Sequence, residues 1–546
     1  MISVNKLASN LNIWALLSLV FILLIIAPNV NILINAFQEG NENWQHIKDY
    51  LLKDYIINSL ILIVFTGIFT IFIGTSLSWI ISIYDFPLRN FFKWGLVLPL
   101  AIPPYIAAYT YNGLFNYTGV LQSFLRNSLD MKVNQVYFDI MSIQGAIFIF
   151  TMFLYPYVYI ITRSFLEKQS AALVENSRLL GRNSLEIFLY IILPISRTAI
   201  VGGVSLVVLE VLNDFGLVKY FGIPTFSTAI FKTWFAMGDT DSAIKLSAML
   251  MFLVLAILLL ENIFRGRKKY SYTTSKVTPL KPQKLTGIQA LGAMAYCLII
   301  FSFGFIVPLL QLVHWSTLTY KKILNIEFWQ LMINSLSVAL SASVLIIIIA
   351  VVIANYCRIS EGVIAKIYSK VTTLGYSIPG AVIAMGVIVF FVAIDKNLFW
   401  FYKLLNGQPS KLILTTSIFM LVFAYTIRFL AIGYNSIQAG FEKVGKTFFE
   451  ASRTLGMNVT QTFFKVDFIM LRSAIVSGFI LVFIDILKEL PLTIILRPFN
   501  FNTLATKAFE YANNEMIHEA AIPSIIIIII STSSIYFFHK LGEEEA

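Results

Sequence analysis

Four carboxylates stand where carboxylates are expensive. Glu210 and Asp485 lie deep in long apolar runs of a 546-residue chain, and Asp214 and Glu489 follow four residues later. A charge near the centre of a bilayer costs at least about 2.5–3.5 kcal/mol, so it normally faces a cavity or a partner. Residues four apart share a helix face. Each pair would therefore offer hard oxygen ligands to one pathway, a donor type that suits a small, highly charged cation. The structural reading is pairing with Lys488 or with backbone donors, which would hold the protein together. Other stretches carry weaker chemistry. Glu515-Met-Ile-His518 has the i, i+3 spacing of carboxylate metal sites, but His46, His314 and His539 lie far away in sequence, so no metal site is assigned. Gly440-Phe-Glu-Lys-Val-Gly-Lys-Thr447 satisfies G-x-x-x-x-G-K-T. That pattern cradles phosphate only between a strand and a helix, and here it follows an apolar span. Cys297 and Cys357 support neither a disulfide framework nor a Cys-rich metal site. No Ser-His-Asp arrangement is signalled.

The acids belong to a duplicated frame. Glu175-Asn-Ser-Arg-Leu-Leu-Gly181 and Glu450-Ala-Ser-Arg-Thr-Leu-Gly456 both read E-x-S-R-x-L-G, 275 residues apart. Arg197 and Arg472 each follow the glycine by sixteen residues, Gly203 then matches Gly478, Glu210 matches Asp485, and Asp214 matches Glu489. Asn58-Ser-Leu60 against Asn334-Ser-Leu336, and Pro103 against Pro379, carry the register to earlier segments. A repeat this long in an apolar chain means a duplicated membrane unit. Within the motif the glutamate suits the amino end of a short helix, and the glycine permits a sharp turn. Small Asn176, Ser177, Ala451 and Ser452 would let the helix seat in a partner's groove, whereas an ordinary capped helix would only order its own loop.

Composition says what surrounds this frame. Hydrophobic residues make up 58% of the chain and charged residues 13%, with a mean hydropathy of +0.80. A soluble domain is about one quarter charged. The net charge of +11 concentrates in short loops, which fits loops held in the cytoplasm and not nucleic acid. About 20 apolar residues make a span. Twelve candidates lie near 12–37, 56–83, 93–116, 141–164, 194–216, 243–263, 287–313, 331–356, 371–395, 411–436, 472–494 and 521–538. Arg265–Lys284 has seven Lys/Arg, no Asp/Glu, and Pro279 and Pro282, so it reads as a cytoplasmic linker. The organisation expected is a first repeat over 1–264, a linker over 265–285 and a second repeat over 286–546. Six spans per repeat make the repeats parallel. They also place both termini and both E-x-S-R-x-L-G loops inside, with the acidic 38–54 loop outside. Pro99, Pro103 and Pro104 should break or bend the third span.

The two loops, each followed by a further span, resemble the EAA loop of ABC importer permeases. Leu193-Pro194 after the first copy fits that pattern, whereas Ile469 in the second departs from it. Leu212–Gly216 with Gly222–Ile230, and Lys488–Leu492 with Arg497–Ala505, resemble the fused two-half permeases of ferric-iron importers. The resemblance covers essentially the whole chain. It implies an all-α membrane protein of about twelve transmembrane helices in two parallel six-helix repeats, the type I importer arrangement, located in the inner membrane. Glu175, Ser177, Gly181, Glu450, Ala451, Ser452 and Gly456 would dock two copies of an ATPase subunit. A soluble binding protein would deliver ferric iron, free or chelated. The chain itself would be a pore and not an enzyme, would bind no cofactor, and would leave ATP and Mg to the partner. Glu210, Asp214, Asp485 and Glu489 are the candidates for the translocation path. The alternatives are a fused permease for thiamine or another small organic cation, and an ion-coupled secondary transporter in which Glu210 and Asp485 are the coupling sites. A non-transporting scaffold explains neither the duplicated loops nor the paired acids.

Overall fold

A computed structural model describes residues 13–167, 171–265, 282–360, 362–406 and 412–544. Most of the linker read at 265–284 lies outside the described residues. Lipid offers no partners to backbone N–H and C=O groups, so an apolar chain satisfies them within helices. Helix follows at every position where a span is expected. Among the described residues nine helical segments are long and apolar enough to cross a membrane alone. Two more are bent pairs, Arg89–Ala101 with Pro104–Leu129 at 91° and Val459–Met470 with Arg472–Leu487 at 73°, and the last apolar segment, Ala521–Phe537, is shorter. Proline accounts for the first bend: the chain is extended at Ile102 and helical again from Pro104. The second repeat breaks at the matching place, between helices Val363–Ser377 and Gly380–Asn406, around Pro379. The protein is thus an all-α membrane protein; the β-structure among the described residues is two-residue pairing of Tyr84–Asp85 with Gln283–Lys284.

Two compact units interleave in sequence. One comprises residues 1–45, 230–251 and 324–507, the other 46–229, 252–323 and 508–546. In the first unit, helix Ile326–Ile359 packs on Ile418–Val444 and Arg472–Leu487, and the N-terminal helix Ile13–Ala36 lies along Gly380–Asn406 and Ile326–Ile359. Trp14 fixes the start of that helix: its Nε1 donates to Thr460 Oγ1 at 3.1 Å and its ring lies 4.8 Å from Phe463. The start of the first helix and the turn after Gly456 are therefore on one side of this unit. At the other end Asn41 Nδ2 donates to Asp239 Oδ2 (2.9 Å), and Lys245 Nζ donates to the carbonyl of Gln38.

In the second unit, Leu52–Ile83, Ile143–Glu167 and Leu193–Asn213 form the packed centre. Membrane helices approach closely only where a residue is small. A Cβ on Gly203 would sit 2.7 Å from Val158 Cα, and one on the matching Gly478, in the other unit, 3.0 Å from Ser436 Cβ. The matched glycines thus serve matched helix crossings.

Candidate functional site

The two E-x-S-R-x-L-G loops have the same backbone, bond for bond. Helix Ala171–Leu179 ends on Gly181 at φ +81°, and helix Thr447–Thr454 ends on Gly456 at φ +85°. In the first, Gly181 N donates to Arg178 O (2.9 Å) and Arg182 N to Ser177 O (3.1 Å). In the second, Gly456 N donates to Arg453 O (3.1 Å) and Met457 N to Ser452 O (3.2 Å). Both are Schellman caps, in which a left-handed residue lets two further amides satisfy the last helical carbonyls. Glycine is required here for its backbone, since nothing lies within 4 Å of a Cβ built on either residue. Two residues on, Asn183 with Glu186 and Asn458 with Gln461 form capping boxes that start the next helix. Each then passes through a π-helical turn, Phe188–Ile192 or Phe463–Asp467. The two copies differ beyond this point. The chain from Ser184 to Asn213, with Pro194, is one continuous span, whereas the second copy kinks at Leu471.

The motif residues divide by direction. Ser177 and Ser452 are buried, and Ser452 Oγ donates to Phe449 O (2.8 Å) and to Thr462 Oγ1 (2.9 Å). The small serine thus seats its helix on the protein's own next turn, not in a partner's groove. Glu175, Asn176, Glu450 and Ala451 are exposed, as are both glycines. Beside them Leu180 is 83% exposed and Leu455 80%. Each loop therefore presents a capped helix end with an apolar tip; Glu450 lies in the first turn of its helix as expected, whereas Glu175 lies mid-helix, because the first helix starts earlier, at Ala171.

What anchors each loop differs, and the sequence reading missed it. In the first repeat Trp79, Ile83, Leu166, Ile187 and Ile192 form an apolar cluster, with Trp79 and Phe188 rings 5.8 Å apart. In the second, Asp467 takes the place of Ile192 and Arg358 that of Ser82. The two make a bidentate pair at 2.6 and 2.8 Å, with side chains 9% and 1% exposed. Arg358 also donates to Asn355 Oδ1 (3.1 Å) and lies 4.2 Å from the Phe441 ring and 4.7 Å from that of Phe449. Asp395 was missed as well. It is buried within Gly380–Asn406 and accepts from Tyr402 Oη, both donors of Thr415 and the Leu414 amide at 2.7–3.1 Å. An isolated Asp in an apolar run was the available signal.

The four acids occupy matched but unlike surroundings. Asp214 follows helix Leu193–Asn213, and its Oδ1 accepts from Leu217 N (3.0 Å) and Val218 N (3.3 Å), capping the short helix Gly216–Tyr220. Glu489 follows Arg472–Leu487 and caps Pro491–Leu496 through Leu492 N, Thr493 N (both 2.9 Å) and Thr493 Oγ1 (2.6 Å). It is 6% exposed, with Arg428 beside it: both stand within 3.5 Å of a Cβ built on Gly380. The next helices repeat this symmetry. Thr225 N donates to Thr228 Oγ1 and Thr503 N to Thr506 Oγ1. Asp214 and Glu489 are thus corner residues that turn the chain after a span. Glu210 and Asp485, one turn earlier, remain partly accessible. Asp485 is held 2.7 Å from Lys488 Nζ, the pairing that the structural reading anticipates. Glu515 and His518 start no metal cluster, for among the described residues no three His, Cys, Asp or Glu side chains converge as one. Gly440–Val444 continues helix Ile418–Val444, so no strand precedes Gly445-Lys446-Thr447.

Known proteins resemble this chain in sequence. The model of the binding-protein-dependent transport system inner membrane component matches residues 74–267 and again 346–543. An Fe(3+)-transport system permease protein of Haemophilus influenzae (FbpB 2) is 22% identical over 494 residues, 90% of this chain and 90% of the relative. A ferric transport system permease protein of Actinobacillus pleuropneumoniae is 23% identical over 499 residues, 86% and 70% of the two chains. A sulfate transport system permease protein of Salmonella typhimurium is 27% identical over 211 residues, covering 37% of this chain and 72% of the relative. The family match falls twice on one chain and spans most of it: this protein belongs to the inner membrane components of binding-protein-dependent transport systems, as a multi-pass permease subunit with two fused halves.

Proposed function

We propose that this permease carries ferric iron, free or chelated, delivered by a soluble binding protein on the outer side. Two copies of an ATPase subunit act on the inner side, one at Glu175–Gly181 and one at Glu450–Gly456. The observation that carries the substrate reading is the matched, partly accessible pair Glu210 and Asp485, one in each repeat. A carboxylate at both places supplies oxygen donors that suit a cation better than an oxyanion such as sulfate, and Asp485 shares its charge with Lys488 at 2.7 Å. The relatives that run the length of the chain are ferric permeases, while the sulfate permease reaches only part of it. What supports the docking assignment is the same capped loop at matched places in both repeats, with Leu180 and Leu455 exposed at the two tips. Closure of the ATPase pair on ATP and Mg would move both loops and switch the pore from inward-open to outward-open. The pore subunit itself needs no cofactor. The basic linker supports placing both termini in the cytoplasm, with the linker separating repeats over 1–264 and 286–546.

The test is uptake of radiolabelled ferric iron and of sulfate in cells lacking this chain and cells with it restored, each under ATP depletion or with the ion gradients collapsed. The proposal expects iron uptake to vanish with the chain and with ATP, and to survive gradient collapse. Loss of sulfate uptake alone would reassign the substrate. Transport that survives ATP depletion but not gradient collapse would make this an ion-coupled carrier.

A further inference from the structure

A cavity of about 600 Å³ opens beside the second loop, between the ends of helices Ile326–Ile359 and Ile418–Val444 and the start of Val363–Ser377. Its charged lining is uneven. Among the described residues Lys366 and Lys370 line it together with Lys446 and one carboxylate, Glu442, and Arg358 is committed to Asp467. The amino end of Val363–Ser377 contributes at Gly362, adding the positive end of a helix dipole. The same helix bares Val363, Ile364 and Ile367, each at least half exposed, so the lysines border a face suited to acyl chains. In the first repeat Lys93, at the place of Ser369, reaches Glu167 at 3.2 Å, and Arg163 lies over Tyr159 and donates to the Lys93 carbonyl.

We propose that this cavity binds the headgroup phosphate of an anionic phospholipid, at the membrane rim of the second loop. A basic pocket between membrane helices next to apolar, lipid-facing residues is the arrangement that takes such a headgroup. Arg358 and Lys446 line both this cavity and the adjoining cleft that reaches Phe449 and Glu450. The lipid therefore touches the anchor of the second docking loop. Placing the site in the inner leaflet rests on the proposed topology; the binding itself does not.

The chain carries its own reporter. Cys357 lines the cavity, whereas Cys297 is fully buried. The purified full chain in a neutral maltoside detergent is treated with N-ethylmaleimide, and the single adduct at Cys357 is timed by intact mass. Short-chain phosphatidylglycerol, phosphatidylcholine or inorganic phosphate is added at equal concentration. Phosphatidylglycerol is expected to slow the adduct while the other two do not. Lys366→Gln/Lys370→Gln, both exposed positions, should raise the phosphatidylglycerol concentration needed by about 30-fold, and Lys465→Gln, outside the cavity, should leave it unchanged. Equal protection by phosphatidylcholine would show an apolar groove with no headgroup site, and equal protection by inorganic phosphate would show a free-anion site; either overturns the proposal. So does protection that survives the double variant. No ATPase or iron is present, so the outcome is independent of the transport assignment.

Discussion

Replacing Asp467 with isoleucine would give the second repeat the residue that Ile192 supplies in the first, eleven positions after the glycine in both. The change removes two charge-assisted hydrogen bonds, at 2.6 and 2.8 Å, from a guanidinium that is 9% exposed. Breaking a buried pair from one side costs about 3–5 kcal/mol, because the remaining charge is left uncompensated. Arg358 keeps Asn355 and two aromatic faces, and a desolvated cation–π contact contributes up to about 2 kcal/mol. The expected loss is therefore near the lower end, about 3 kcal/mol. Arg358→Leu/Asp467→Ile removes both charges and copies the apolar solution of the first repeat. That double variant should lie within about 1 kcal/mol of the starting protein, since well-packed apolar replacements of buried pairs are near neutral. Unfolding in mixed micelles, read by steric trapping, measures both, and limited proteolysis of the 446–467 segment localises the effect. A single variant as stable as the starting protein would refute the reasoning, as would a double variant as labile as the single one.

Three further outcomes follow from the geometry. Gly181→Val or Gly456→Val forces a branched residue into φ +81° or +85° and should lose about 1–2 kcal/mol of local stability and uncouple ATP hydrolysis from uptake; Asn, which tolerates this conformation, should retain most coupling, and equal transport by Val and glycine would remove the loops from the coupling path. Glu210→Gln with Asp485→Asn should impair iron uptake more than assembly, and unimpaired uptake would return both to a structural role. Burial raises the Asp239 carboxyl, but hydrogen bonds from the Ser242 hydroxyl and amide and from Asn41 outweigh it and hold the group below its usual range. A depressed folded-state value means its contribution is present above the unfolded carboxyl's range and is lost as pH falls through the folded one. Asp239→Asn should thus flatten the acid limb of a stability–pH profile, and an unchanged limb would place the titration elsewhere.

The sequence carried the parts of this protein that repeat. Spacing alone matched Gly181 with Gly456, Gly203 with Gly478 and Asp214 with Glu489, and each match has one backbone or packing duty in both copies. The break at Pro103 was legible because proline removes a donor wherever it stands. Pairings between distant residues were not legible. Arg358 and Asp467 are 109 residues apart, and nothing in the first repeat hints at them, since apolar side chains serve there. The direction of Ser177 and Ser452 was also hidden, because a small residue suits a partner's groove and the protein's own next turn equally well. Asp214 and Glu489 stood in the sequence as pathway acids; the turn that lets them cap a short helix appears only in three dimensions.

The claim on which the account turns is that the two capped helices receive an ATPase. A photo-crosslinking residue placed at Leu180, and separately at Leu455, tests it in intact cells, with the captured chain identified by mass and by labelling with an ATP analogue. The account predicts that both positions capture the same nucleotide-binding subunit and that the adducts fade when the glycine beside them is changed to valine. Capture of lipid alone, or of an ATPase at one loop and never the other, would contradict it.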